Sequence, residues 1–144
     1  MIQIAIISNP KKLSGRLTSI FAGSPAYHIG FVDTNSSKFY DMNLLFRRRN
    51  WPHYAAENVK LYQCPVEITA ENLEEELDTS EDWYSPLDYL AFGFKKLFFK
   101  SRPSFKGAIC SEKVEQILVE YGGWVSPFKF TPSPTDFEKL LTPL

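Results

Sequence analysis

Sulfur and imidazole are scarce in this chain: 144 residues hold two cysteines, two methionines and two histidines. Cys64 and Cys110 are too few for a disulfide framework and suit a reducing compartment or a working thiol. With His28 and His53 they are scattered too widely for a zinc spacing, so neither a metal nor an organic cofactor is expected. An excess of one charge is missing as well. Sixteen basic against 17 acidic residues leave a net charge of -1, whereas a dedicated nucleic-acid binder carries a large positive surplus, so no nucleic-acid partner is expected. Nowhere does an apolar run reach the length of a membrane span. The stretch Met1 to Pro10 has neither a basic leader nor a long apolar segment, which predicts a cytoplasmic protein. Repeats, low-complexity tracts and linkers are also absent, and residues 1–144 read as a single domain.

What the chain does have is a core. Apolar residues make up 44% and aromatics 15%, with 12 Phe, 7 Tyr and 3 Trp, and a chain of this size buries roughly two-thirds of its unfolded surface. The Ile-rich run 2–7 reads as a buried strand, followed by a capping Ser8-Asn9-Pro10. Leu13, Leu17, Ile20 and Phe21 form one face of a helix that Gly23 stops. Residues 27–32 and 38–44 read as two strands of a hairpin joined by the polar turn 33–37, residues 47–52 as a loop, and 59–64 as a further strand. Thr69 caps a short helix carrying Leu73 and Leu77, and the seven acids between Glu71 and Asp82 read as its solvated face. Ser85-Pro86-Leu87-Asp88 has the form of a capping box before a helix striped by Leu87, Leu90, Ala91, Phe94, Leu97 and Phe98. A basic stretch from Lys95 to Lys106 follows, read as cations at a helix end. Residues 112–121 give another amphipathic helix, closed by Gly122-Gly123. Residues 124–130 read as a last strand, and Ser133-Pro134-Thr135-Asp136 opens a short helix presenting Phe137, Leu140 and Leu141. The fold class expected is α+β.

Three residues stand out for chemistry. Cys110, in Gly107-Ala108-Ile109-Cys110-Ser111-Glu112, falls where an apolar approach meets the first turn of a helix. Backbone N–H groups of that turn lack intrahelical partners; they favour a thiolate and would hold an oxyanion. The plainer alternative is a small buried hydrophobe. His28, in Tyr27-His28-Ile29-Gly30-Phe31, shares a strand face with Gly30 and Val32, and the glycine leaves open space beside the imidazole, as a cleft would need. An imidazole within reach of sulfur can take its proton; a structural histidine is the alternative. His53, in a loop, reads as a surface residue. Asp41, in Phe39-Tyr40-Asp41-Met42-Asn43, lies on the hairpin strand beside His28 and would fix its tautomer. Tyr40 or Asn43 would serve instead if the register slips by one.

These parts resemble the circularly permuted papain-like (NlpC-type) superfamily, which includes the YiiX-type amidases and peptidases and relatives of lecithin:retinol acyltransferase. The resemblance rests on His28-Ile29-Gly30-Phe31, on Phe39-Tyr40-Asp41-Met42, and on the later Cys110-Ser111-Glu112, with His before Cys as in the permuted branch. The stretches Leu13 to Phe21, Trp83 to Leu90 and Thr131 to Phe137 extend it over most of the chain. It implies a small antiparallel sheet packed against helices, Cys110 as nucleophile, His28 as base and Asp41 as the third polar residue. The backbone of Cys110 and Ser111 would form the oxyanion site. The function implied is a cysteine-dependent amidase or peptidase working through a thioester, on a peptide, amide or ester substrate such as peptidoglycan-type peptides. The alternatives are an acyltransferase or thioesterase on acyl esters, and a non-catalytic binding or virion module of the same fold. A leaderless relative suits a cytosolic enzyme or a phage-encoded protein acting in the host cytoplasm or virion.

Overall fold

The computed structural model describes residues 1–8, 26–43, 45–51, 58–80 and 110–144. The helices expected over 13–21 and after Ser85, the basic stretch 95–106 and His53 lie outside the described residues. Within them run five strands: β1 (Ile2–Ser8), β2 (Ala26–Asp33), β3 (Lys38–Asn43), β4 (Leu45–Asn50) and β5 (Asn58–Gln63). They form one sheet in the order β4-β3-β2-β1-β5, antiparallel throughout. Three helices accompany it among the described residues, α1 (Ala70–Thr79), α2 (Cys110–Gly122) and α3 (Pro134–Leu140). The architecture is α+β, a small antiparallel sheet with helices packed on it. No described helix is long and apolar enough to cross a membrane.

β1 is the strand that both faces need. Its β-branched side chains suit a pleated surface, and Ile4, Ala5, Ile6 and Ile7 are all fully buried, which a strand with one wet face would not allow. Period-2 alternation sorts its neighbours into two sets. Ile4, Ile6, Ile29, Phe31, Tyr40, Met42 and Tyr62 pack with Val114, Ile117, Leu118 and Phe137 in the main core, whereas Ala5, Ile7, Val32 and Phe39 form a second cluster with Trp51, Val59 and Leu61. α2 and α3 lie against β2. On the outer side of β5, residues 142–144 continue the pairing: Gln63 N–H donates to the Thr142 carbonyl and Leu144 N–H to that of Leu61.

Local signals set the ends of the elements. The Thr69 hydroxyl accepts from Asn72 N–H at 3.1 Å while the Asn72 side chain accepts from Thr69 N–H at 3.0 Å. Ser133 and Asp136 repeat the device before α3, with Pro134 in its first turn, so both caps are reciprocal. α2 closes at Gly123, whose φ of 67° favours a residue without Cβ. In the β2–β3 turn, Asp33 accepts from Asn35 N–H and Ser36 Oγ.

Three expectations are corrected. Residues 47–50 are strand, not loop, because each arginine finds an acid across the sheet or on α1: Arg47 and Arg49 reach Asp41 and Arg48 reaches Glu74. Residues 124–130 form no strand; Trp124 and Phe128 pack their rings on Phe137, with centroids 6.1 and 5.1 Å away, so their apolar character serves aromatic contact rather than pairing. The acidic run is not wholly solvated. Glu76 turns inward to Lys113, itself 1% exposed, and accepts from Tyr121 Oη at 3.0 Å. Ser80 Oγ accepts from the same ammonium at 2.9 Å, which also lies 5.5 Å from the Phe46 ring centre.

Breaking a buried ion pair on one side strands the other charge. Glu76→Leu or Lys113→Met alone should therefore cost about 3–5 kcal/mol in urea denaturation, and the two together distinctly less than the sum.

Candidate active site

His28 sits just after an irregularity in the β1–β2 pairing. Ile7 faces His28 but the next residue, Ser8, faces Ala26, so β2 carries an extra residue at that point. Such a bulge twists the strand and re-aims the side chain beside it. Across the hairpin, Gly30 pairs with Asp41, which makes His28 the diagonal neighbour of Asp41 on the same face. Imidazole and carboxylate meet there: His28 Nε2 is 2.6 Å from Asp41 Oδ2, with side chains 7% and 0% exposed.

Gly30 has a different use from the one expected of it. A Cβ at this position would come within 2.6 Å of the Tyr40 carbonyl oxygen and 2.7 Å of the Phe39 ring. The space beside the imidazole is thus filled by Phe39, whose ring lies edge-on to His28 with centroids 6.2 Å apart. On this flank His28 is walled, not open to a cleft.

Asp41 draws its other partners from β4. Arg47 donates from Nε to Oδ1 at 3.0 Å and from Nη2 to Oδ2 at 3.2 Å, and Arg49 Nη2 donates to Oδ2 at 2.7 Å. Burial alone would push the Asp41 carboxyl up, but hydrogen bonds and charge from His28 and Arg47 outweigh it and hold the group well below the usual carboxylate range. Asp41 is an anion at neutral pH and can only accept. Beside such an acceptor, Nε2 is the ring nitrogen that carries the shared hydrogen.

Cys110 is the first residue of α2 and is 1% exposed. Its side chain belongs to the main core with Ile29 and Phe31, the residues that alternate with His28 along β2. Along the other direction the helix is aligned with the site. Its far end, Gly122, abuts Val66 just past β5, and Gln63 of β5 pairs through Gln3 with Val32 at the end of β2 remote from His28. A helix of 13 residues is about 20 Å long, which carries Cys110 back toward the His28–Asp41 end of the sheet. Lys113, one turn into α2, agrees: its ammonium lies over Phe46, which pairs with Met42 next to Asp41. Ser111 is fully buried, and its hydroxyl donates to the Pro132 carbonyl at 2.6 Å, fastening the helix start to the segment before α3.

The expected residues therefore fall into two groups. His28 and Asp41 are in direct contact on the Phe39 face of the sheet; Cys110 and Ser111 open the helix packed on the opposite, main-core face of the His28 strand, so sulfur and imidazole lie on different faces. Tyr40, the other candidate for the third place, faces the main core side and donates from Oη to Glu74 at 2.6 Å; burial and that acid push its hydroxyl up to about 12. Neither cysteine is in a disulfide, and burial pushes the Cys64 thiol up to about 11. No group of three potential metal ligands occurs among the described residues. Sequence reasoning missed Arg47 and Arg49. Their signal was the i, i+2 spacing on either side of Arg48, with buried Phe46 preceding them, which is strand alternation. No family model and no curated protein matches this sequence.

Asp41→Asn should cost about 3–5 kcal/mol at pH 7, since it leaves two guanidinium groups facing a neutral amide. A carboxyl depressed in the folded state stabilises above its unfolded pKa of about 3.9 and stops doing so as pH falls through the lower folded value. The gap between wild type and variant in denaturant titrations should accordingly be full at pH 6 and narrow steadily below pH 4.

Proposed function

We propose that this protein is a cysteine-dependent hydrolase with a permuted papain-like arrangement, acting on an amide or ester carbonyl. The observation that carries the reading is the buried His28–Asp41 pair with Nε2 engaged by the carboxylate. An imidazole held in that way presents Nδ1 as its base, and the depressed carboxyl stabilises the imidazolium once formed. Further support comes from the order His before Cys, from the bulge beside His28, and from a cysteine at the first residue of a helix, a helix that lies on the main-core face of β2 and not on the face of the imidazole.

This mechanism requires the start of α2 to bring Sγ of Cys110 round from the main-core face; Nδ1 of His28 then takes the Sγ proton and the thiolate adds to the substrate carbonyl carbon. The N–H groups of Cys110 and Ser111 donate to the oxyanion. As the tetrahedral intermediate collapses, the imidazolium gives its proton to the departing amine or alcohol and a thioester remains. Water then adds to the thioester with His28 again as base, releasing the acid and restoring the thiol. The preferred substrate class is a peptide amide, with peptidoglycan-type peptides the first to try. An alcohol or amine acceptor in place of water makes the same cycle an acyl transfer. The near-complete burial of Cys110 favours a second reading, a binding module that keeps the fold without turnover.

Thiol reactivity separates the two. In the hydrolase reading, iodoacetamide at pH 6 labels Cys110 much faster than Cys64, whose thiol sits near 11, and a peptide-ester substrate leaves an acyl adduct on Cys110 detectable by mass spectrometry. Cys110→Ala abolishes turnover, and His28→Ala lowers it by about 10²-fold or more. Equally slow labelling of both cysteines would establish the binding module instead.

A further inference from the structure

A buried carboxylate that serves a histidine usually has one such duty; Asp41 has three cationic or potentially cationic partners. Its side chain is fully buried, and among the described residues His28 on β2 and Arg47 and Arg49 on β4 reach it from the neighbouring strands on the same face. The two arginines make different contacts. Arg47 grips both oxygens in a fork, which fixes the plane of the carboxylate. Arg49 adds a third partner to Oδ2, which also meets His28 Nε2 and Arg47 Nη2, while its guanidinium carbon sits 5.8 Å from the centre of the Phe39 ring, the ring that also flanks His28. The middle residue, Arg48, points the other way and bonds Glu74 on α1. Structural need alone does not call for this: one fork is enough to neutralise one carboxylate.

We propose that Arg47 and Arg49 are positioning residues for His28, holding the Asp41 carboxylate in one plane so that Oδ2 keeps the imidazole N–H at Nε2 and aims the ring. The assignment deepens the hydrolase reading, in which His28 is the base, but it concerns the imidazole itself. Its test reads the ring and not turnover, so the two stand or fall separately.

The measurement is proton NMR of the full chain carrying nitrogen-labelled histidine, with His53→Gln used to assign the two rings. The wild type is expected to show a strongly downfield His28 Nε2–H signal that exchanges slowly with water. In Arg47→Gln and in Arg49→Gln its exchange should quicken by about tenfold or more, the scale of a weakened charge-assisted bond. Arg49→Lys, which keeps a cation that can donate to Oδ2, should retain part of the protection. Arg48→Gln is the control, because it alters the same strand on the opposite face and should leave the signal where it is. An unchanged signal in the folded Arg47→Gln and Arg49→Gln variants would overturn the proposal. So would an equal effect of Arg48→Gln, which would make the arginines mere stabilisers of the strand, and so would absence of the signal in the wild type. Should a glutamine variant not fold, Arg47→Lys and Arg49→Lys are compared instead, and the proposal requires Arg47→Lys, which breaks the fork, to speed exchange.

Discussion

An ionised carboxylate without any exposed surface cannot exist alone inside a protein, and Asp41 is such a group. Its desolvation is offset by side chains that converge on it, His28, Arg47 and Arg49 among the described residues, and those three fix the register of three strands at once. β2 must place His28 two residues from Gly30, β3 must present Asp41 on the Phe39 face, and β4 must turn Arg47 and Arg49 the same way. A one-residue slip of any of them would put a bare charge into the main core. The polar network and the sheet are therefore a single construction, and the side chains offered to chemistry are the ones that specify the pairing.

The other face is organised by a second buried charge. Lys113 and Glu76 join α2 to α1, with Tyr121, Ser80 and the Phe46 ring completing the shell. This contact orients the helix that begins at Cys110 against the strands that carry His28 and Asp41. The distance along α2 from Cys110 to Lys113 is a single turn, so a pair that looks purely structural bears on where the sulfur sits.

Much of this was readable from residue order. The hairpin of β2 and β3, the strands β1 and β5, the capped helices at Thr69 and Ser133, and the helix stop at Gly123 all follow from period-2 or period-3.6 patterns with the expected punctuation. Hairpin pairing plus alternation offered the His28–Asp41 contact, with Tyr40 and Asn43 open as alternatives, and the register of the strands selects Asp41. What stayed hidden was long-range charge pairing. Arg47, Arg48 and Arg49 look like a loop until each has an acid, and Glu76 looks solvated until Lys113 lies against it, because propensity carries no information on a partner 37 residues away. Gly30 was misjudged for a similar reason: a missing side chain reads as empty room, but Phe39 comes from the neighbouring strand to occupy it.

The two rims of the sheet are finished in different ways. Beyond β5, residues 142–144 supply main-chain partners, so that side is closed by the chain itself. β4 lies at the opposite end of the strand order and carries three consecutive arginines, which deter a stray strand from docking there. The inward-turned charges that steady the interior carboxylate thus also make this rim a poor match for another strand, which would have to lay its apolar face against them.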